Sequence, residues 1–310
     1  MQTILGSGGA IGIPLAKELL KYTDQVRLVA RHPKKVNEND ELFPADLTEK
    51  AEVNKAVAGS DIVYLVAGLQ YKISVWRKDW PLIMRNTIDA CIAHNSKLVF
   101  LDNVYAYAPD EIPHMTEESR IAPETKKGKV RAELLQMIFD AIDKQGLTAL
   151  VARSADFYGP NVKTGFLNLM VFDKFKKNQK ANWQADAKKI HSFTYTPEAA
   201  AAAALLGNTF GAYNQTWHLP TSQQKWTGVD FINRVAEAMN VEPHYFTLTK
   251  TMIALTGLFS PVVRELKEMQ YQNDRDYFFD SSKFNKRFSY TPTSYKDGIK
   301  EIVKEEMGEL

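Results

Sequence analysis

Short apolar runs and longer amphipathic stretches take turns along the first half of the chain. QTIL (Gln2–Leu5) is followed by a helical pattern over Ile11–Lys21, then VRLVA (Val26–Ala30), a helix near Glu49–Ala58, and IVYLVA (Ile62–Ala67). A helix over about Asp79–His94, KLVFLD (Lys97–Asp102), a helix ending near Lys144, and TALVAR (Thr148–Arg153) continue the series. Runs with so few alternating polar positions suit strands buried on both faces, as in a parallel sheet covered by helices on each side. The pattern predicts an α/β, Rossmann-type doubly wound parallel sheet. Beyond Tyr158 the rhythm breaks: EAAAAAALL (Glu198–Leu206) reads as a tightly packed helix and YNQTWHL (Tyr213–Leu219) as a strand, while the last hundred residues hold mostly helices with turn signals such as TPTS (Thr291–Ser294). Two units are expected, a dinucleotide-binding one over 1–165 and 190–219, and a smaller, mostly helical substrate-binding one over 166–189 and 220–310.

Composition narrows the function classes. Hydrophobic residues make up 45% and charged residues 25% of 310, and the formal charge of +2 is too balanced for a polyanion partner. Cys91 is the only cysteine, which excludes internal disulfides and thiolate metal clusters and fits a reducing compartment. No apolar run reaches the roughly 20 residues that span a bilayer, and the start, MQTILGSGG, does not look like a signal peptide. A cytoplasmic protein is expected, with a small-molecule substrate, room for a homodimer, no metal, and neither nucleic acid nor a membrane as partner.

The first chemical signal is ILGSGGAIG, in which Gly6, Gly9 and Gly12 are spaced by three directly after the first strand and at the opening of the first helix. The first glycine permits the tight turn. The second lets backbone approach a pyrophosphate, through absent bulk or positive φ, and the third lets helix and sheet pack closely, while Ala10 and Ile11 belong to the helix start that attracts the anion.

This spacing resembles the extended and atypical short-chain dehydrogenase/reductases, the group that includes NAD(P)-dependent epimerases and dehydratases. Further landmarks follow in order: VARHP after the second strand, ADLT after the third, YLVAG at the fourth, RSADFYGP after the sixth, and HSFTYTPEAAAAA beyond. The resemblance implies that Asp46 and Leu47 border the adenine, that Ala67 and Gly68 line the cofactor cleft, and that Ser154 to Asp156 lie near the nicotinamide. Arg31 bears on the choice of cofactor. An acidic residue at the end of the second strand would bind a ribose 2′-hydroxyl, whereas Arg31, with His32 and Lys34 close behind, suits a 2′-phosphate. NADP is expected in preference to NAD.

In this family a helix after the fifth strand carries Y-x-x-x-K, and here the corresponding stretch, PETKKGKVRAELL (Pro123–Leu135), has no tyrosine. Aligned on the glycine, Lys127 and Arg131 stand at the two motif positions; aligned on the lysine, Thr125 and Lys129 do. Either pair shares a helix face, so either cation could reach the ribose. Asn103 occupies the usual serine position and can hydrogen-bond a substrate oxygen but cannot act as an acid. Tyr105 is the candidate surrogate acid if a neighbouring lysine lowers its pKa, and it and Tyr107 are otherwise packing residues. Asp102, at the strand end, could orient a lysine, and Trp183 and His191 are expected as pocket walls. Two readings stand, an NADP-dependent oxidoreductase or epimerase/dehydratase-like enzyme acting on a small carbonyl, alcohol or sugar-derived substrate, and a catalytically silent NAD(P)-binding redox sensor or regulatory protein; the intact glycine motif disfavours a third, an interaction module with an empty fold.

Overall fold

A computed structural model describes residues 1–249, 251–253, 255 and 261–308. Seven strands form one sheet: β1 (Gln2–Leu5), β2 (Val26–Ala30), β3 (Glu41–Pro44), β4 (Ile62–Leu65), β5 (Lys97–Asp102), β6 (Ala149–Arg153) and Thr216–His218, which is β10 in chain order. Their spatial order is β3-β2-β1-β4-β5-β6-β10, and every pairing is parallel. Strands β1, β4 and β6 are buried along their whole length, as their apolar composition demands, whereas β3 at the edge is largely exposed and ends on Pro44, a residue a central strand could not carry. The order reverses between β1 and β4, so the loops leaving those two strands diverge at the carboxyl edge. In a doubly wound sheet that crevice is where ligands bind.

Helices α1 (Gly12–Leu19), α2 (Lys50–Val57), α3 (Ile73–Ala93) and α4 (Lys126–Gln145) connect the strands. The third begins six residues before the expected Asp79 and runs through Pro81. Its buried stripe of Trp76, Trp80, Ile83, Met84, Thr87 and Ile88 outweighs the one backbone bond that a proline removes. The alanine-rich stretch forms a further helix (Thr196–Gly207), whose Gly207 leaves no room for a Cβ because it would meet the Tyr64 hydroxyl of β4. Small side chains let this helix lie close on the sheet. Cys91 is buried in the core that α3 and α4 form with the sheet, and burial pushes its thiol up to about 12, so it carries no thiolate chemistry.

Two compact units emerge: Met1–Ala106 with Lys126–Arg153 and Ala199–Leu219, and Tyr107–Thr125 with Ser154–Glu198 and Pro220–Leu310. The stretches 107–125, 154–165 and 190–198, expected in the dinucleotide-binding unit, group with the second. Besides helices such as Gly228–Met239 and Tyr295–Met307, the second unit holds two parallel strand pairs, β7 (Asp156–Tyr158) with β9 (Phe193–Tyr195) and β8 (Ala181–Gln184) with β11 (Tyr245–Leu248). Positions 256–260 of the expected second unit lie outside the described residues. Among the described residues no helix is long and apolar enough to cross a membrane.

Candidate cofactor and active site

The glycines of the first loop divide into two kinds. Gly6 has φ +92°, and a Cβ there would stand 2.4 Å from the Ala67 Cα, so the turn after β1 can close on the loop after β4 only at a glycine. At Gly12 a Cβ would meet the Ser7 carbonyl oxygen at 2.5 Å, so this glycine lets the helix start fold back on its own loop rather than on the sheet, which is the partner the spacing suggested. Ser7 is itself anchored, because the Val29 carbonyl of β2 accepts the amides of Gly6 (2.9 Å) and Ser7 (3.2 Å). Gly8 and Gly9 differ: both are exposed, neither has positive φ, and no protein atom crowds either position, the nearest to Gly9 being 4.0 Å away. Bulk, not an unusual dihedral, is what a substitution at Gly9 would introduce. Helix α1 opens at exposed Ala10 and buried Ile11 without a side-chain cap or an acidic residue in its first turn. Its positive end thus carries no side chain that would compete with an anion.

At the end of β2, Arg31, His32 and Lys34 are exposed. Asp46, just past β3, accepts hydrogen bonds from the Thr48 amide (2.9 Å) and hydroxyl (2.8 Å); these bonds hold its carboxyl below the usual range, and the charge of Arg31 adds to the effect. Leu47 is buried, and its carbonyl accepts from the Asn86 amide at 3.1 Å. Ala67 is half-buried against Gly6, and Gly68 is exposed with open space around it.

The β5–α4 corner decides between the two registers of the basic stretch. Lys127 and Arg131 are both buried and share the inward face of α4, while Lys129 is exposed, so the glycine-based alignment is the one that faces the sheet. Lys129, the other catalytic candidate, is a solvated side chain in this structure. Arg131 is held against the end of β5. Its Nε and Nη2 reach Asp102 Oδ1 at 2.8 and 2.6 Å, its Nη2 donates to the Leu101 carbonyl at 3.2 Å, and its guanidinium lies 4.8 Å from the Trp80 ring and 4.7 Å from Phe100. The other carboxylate oxygen takes Arg153 Nε at 3.0 Å, so Asp102 orients two arginines where a lysine was expected. All three side chains are almost wholly buried.

One turn earlier on the same face, Lys127 Nζ stands 4.6 Å above the ring of Tyr71, whose hydroxyl donates to the Tyr105 hydroxyl at 3.3 Å. The Tyr105 ring stacks on Trp76 (6.2 Å, 20°), and its amide donates to the Asn103 side-chain oxygen at 3.0 Å, a two-residue turn that aims the phenol. Tyr105 is thus placed beside a cation and a second phenol. Tyr107 is a packing residue whose hydroxyl donates to the Thr116 carbonyl at 2.8 Å. Neither Tyr71 nor Trp76 stands out in the sequence: Tyr71 lies in an irregular loop, where no periodicity marks which side chains turn inward, and Trp76 lies in the first turn of α3, ahead of the expected helix start.

In the second unit Ser154 is buried, and the adjacent Ala155 amide donates to Thr194 Oγ1 at 3.0 Å. His191 pairs with Asp156 at 2.9 Å and stacks on Tyr277 (4.3 Å, 4°). Trp183 fills the space over Gly228. His191 and Trp183, expected as pocket walls, are 2% and 1% exposed and belong to this unit's aromatic core.

Residues 6–133 match the family model described as NAD(P)H-binding, a stretch that includes the glycine turn and the start of α4. No curated protein matches the sequence. Solved structures do match. The UDP-N-acetylglucosamine 4-epimerase of Methanobrevibacter ruminantium, in complex with UDP-N-acetylmuramic acid, is 16% identical over 99% of this chain and 97% of its own, with TM-score 0.80. The UDP-glucose 4-epimerase of Thermus thermophilus, in complex with NAD, is 17% identical over the full length of both (0.79), and the dTDP-glucose 4,6-dehydratase of Streptomyces venezuelae, with NAD bound, is 14% identical over 99% and 97% (0.80). The fold is that of nucleotide-sugar epimerases and dehydratases. The extended short-chain dehydrogenase resemblance read from the landmarks agrees with it.

Proposed function

We propose that this chain is an NADP-dependent oxidoreductase or epimerase/dehydratase-like enzyme acting on a small carbonyl or alcohol, with nucleotide sugars, named in the structural neighbours, foremost among the candidates. The observation that carries this reading is the Tyr105 phenol beside Tyr71 and Lys127, in the same unit as a glycine turn left open at Gly8 and Gly9. Gly9, Ala10 and Ile11 would receive the pyrophosphate on backbone amides, Arg31 the 2′-phosphate, Asp46 and Leu47 the adenine, and Ala67 and Gly68 the flank of the cleft. A bound nicotinamide supplies the hydride. The protein's part is to hold the carbonyl, with the Asn103 amide as donor, and to give a proton from Tyr105 Oη to the oxygen that becomes a hydroxyl. Lys127 provides positive charge near the phenolate left behind.

The sensor reading is favoured by a different observation. Helix α4 contains no tyrosine, and on its inward face Arg131 is engaged by Asp102, so the helix supplies no phenolic acid. A panel of aldehydes, ketones and nucleotide sugars, assayed for NADPH oxidation with wild type and variants, separates the two. Turnover is expected in wild type, and Tyr105→Phe should lower kcat by at least about 100-fold with cofactor affinity unchanged. Unaltered turnover in that variant removes Tyr105 as the acid, and a panel without turnover moves the assignment to the sensor. Arg31→Ala should reduce the preference for NADP over NAD about tenfold, the worth of one charge-assisted contact; an unchanged preference excludes Arg31.

A further inference from the structure

Tyr71 belongs to none of the motifs, yet it touches both of the groups on which the proposed proton transfer depends. The loop that carries it is tightly held: the Gln70 carbonyl accepts the Lys72 amide at 2.7 Å and the Trp76 indole N–H at 3.1 Å, which fixes the turn into α3. Trp76 then packs edge-on against Tyr71 (5.7 Å, 80°) and stacks on Tyr105. Three aromatic rings from the β4–α3 loop, α3 and the end of β5 are thereby held together. The Tyr71 hydroxyl points at the Tyr105 oxygen, and the face of its ring lies under the Lys127 ammonium.

We infer that Tyr71 is a positioning residue for proton transfer by Tyr105, setting how readily that phenol gives up its proton; this rests on the reading of Tyr105 as the acid. In the step, the Tyr105 O–H bond breaks and its electron pair stays on Oη. The proton bonds to the substrate oxygen that has gained an electron pair through hydride addition from a reduced nicotinamide, and water later returns a proton to the phenolate. That phenolate would accept the Tyr71 hydroxyl hydrogen as a charge-assisted bond, shorter and about twice as strong as the neutral one at 3.3 Å. A cation over the ring face withdraws electron density from Tyr71 and makes its hydroxyl a better donor, so the Lys127 charge reaches Tyr105 through Tyr71. The two elements of a Y-x-x-x-K helix are in this way recovered from three separate segments. Around the phenol pair, Lys127 of α4 contributes positive charge; Trp76 of α3 and Asn103 are neutral, and Asp102 is engaged by Arg131 and Arg153.

Tyr71→Phe keeps the ring, its packing and its contact with Lys127 and removes only the hydroxyl. Two readouts test it in the full-length protein. The first needs neither cofactor nor substrate: the near-ultraviolet tyrosinate titration of wild type minus that of Tyr105→Phe gives the Tyr105 midpoint, and the corresponding pair in the Tyr71→Phe background gives the shifted one. An upward shift of about one pH unit is expected, the size of a lost hydrogen bond to the charged form. The second is the pH profile of kcat, whose limb for the essential acid should move in the same direction with the Kd for NADPH unchanged. Lys127→Met, which retains the Tyr71 hydroxyl, should raise the same midpoint by a smaller amount and serves if Tyr71→Phe does not fold. A Tyr105 midpoint unmoved in the folded variants overturns the inference. Loss of the enzyme reading looks different: no turnover in wild type, with the spectroscopic coupling of Tyr71 and Tyr105 intact.

Discussion

The β1–α1 loop and the β5–α4 corner both flank the carboxyl edge of one sheet, yet they carry their chemistry in opposite ways. In the loop it lies in backbone, and the residue type matters through what is absent: Gly6 and Gly12 exclude a side chain because protein atoms occupy the space, whereas at Gly9 nothing from the protein does. In the corner it lies in side chains that the helix does not supply in the usual spacing. Two cations four residues apart on one face meet different fates there, Arg131 bound to Asp102 and Lys127 set over an aromatic ring. A backbone site has few geometric solutions and keeps its sequence signature. A side-chain site can be rebuilt from other elements, so its signature can vanish while a phenol and a cation remain.

The largest effect is expected where the corner is purely structural. Asp102→Ala would leave Arg131 and Arg153 buried without their shared carboxylate, which should destabilise the protein by about 3–5 kcal/mol. Lys127→Met, at a position equally buried, removes one ammonium rather than the carboxylate that two buried guanidiniums share, and should cost less than Asp102→Ala. Urea denaturation of both checks this. Equal losses would mean that Lys127 is as much a structural cation as Arg131, and the division of labour along α4 would disappear.

Within the loop a smaller contrast should hold. Gly6→Ala forces a side chain into a left-handed backbone position against the Ala67 backbone and should cost about 2–3 kcal/mol, read as a lower Tm. Gly9→Val should leave the Tm nearly unchanged and weaken dinucleotide binding at least about 100-fold by occupying the space a pyrophosphate needs. Retained affinity with an intact fold would remove this turn as the phosphate site. Reversed stabilities would mean that the open space at Gly9 is not present in solution.

The sheet was legible because doubly buried strands must be apolar end to end, as IVYL and ALVAR are, and the glycine turn because only glycine solves it. Less legible was the start of α3, where Pro81 reads as a beginning though the Trp76–Trp80 stripe has already opened the helix. The register of the basic stretch could not be read at all. Lys127 and Lys129 are chemically alike, and burial alone, set by the packing of α4 on α3 and β5, separates them. The roles of Asp102 and Tyr71 escaped for a related reason. Each acts through partners distant in sequence: Arg131 and Arg153 lie 29 and 51 positions from Asp102, and Tyr105 lies 34 from Tyr71.

The smallest expected effect concerns Asp46, just past β3. Hydrogen bonds from Thr48, and then the charge of Arg31, hold the Asp46 pKa below the ordinary aspartate value in the folded chain. A depressed carboxyl stabilises the fold above its unfolded pKa, and that contribution fades as pH falls through the lower, folded value. The stability difference between wild type and Asp46→Asn should accordingly be level from neutral pH down to about 4 and close below it. Exposure and screening keep it under about 1 kcal/mol. Cofactor binding should respond in the other direction. Removing a negative charge beside Arg31 lessens the repulsion felt by a 2′-phosphate, so Asp46→Asn should bind NADP a few-fold more tightly at neutral pH, with NAD little affected and the gain shrinking as salt is added. Equal changes for the two dinucleotides would place the 2′-phosphate away from Arg31, leaving a cofactor site whose glycine turn is sound but whose selectivity arises elsewhere.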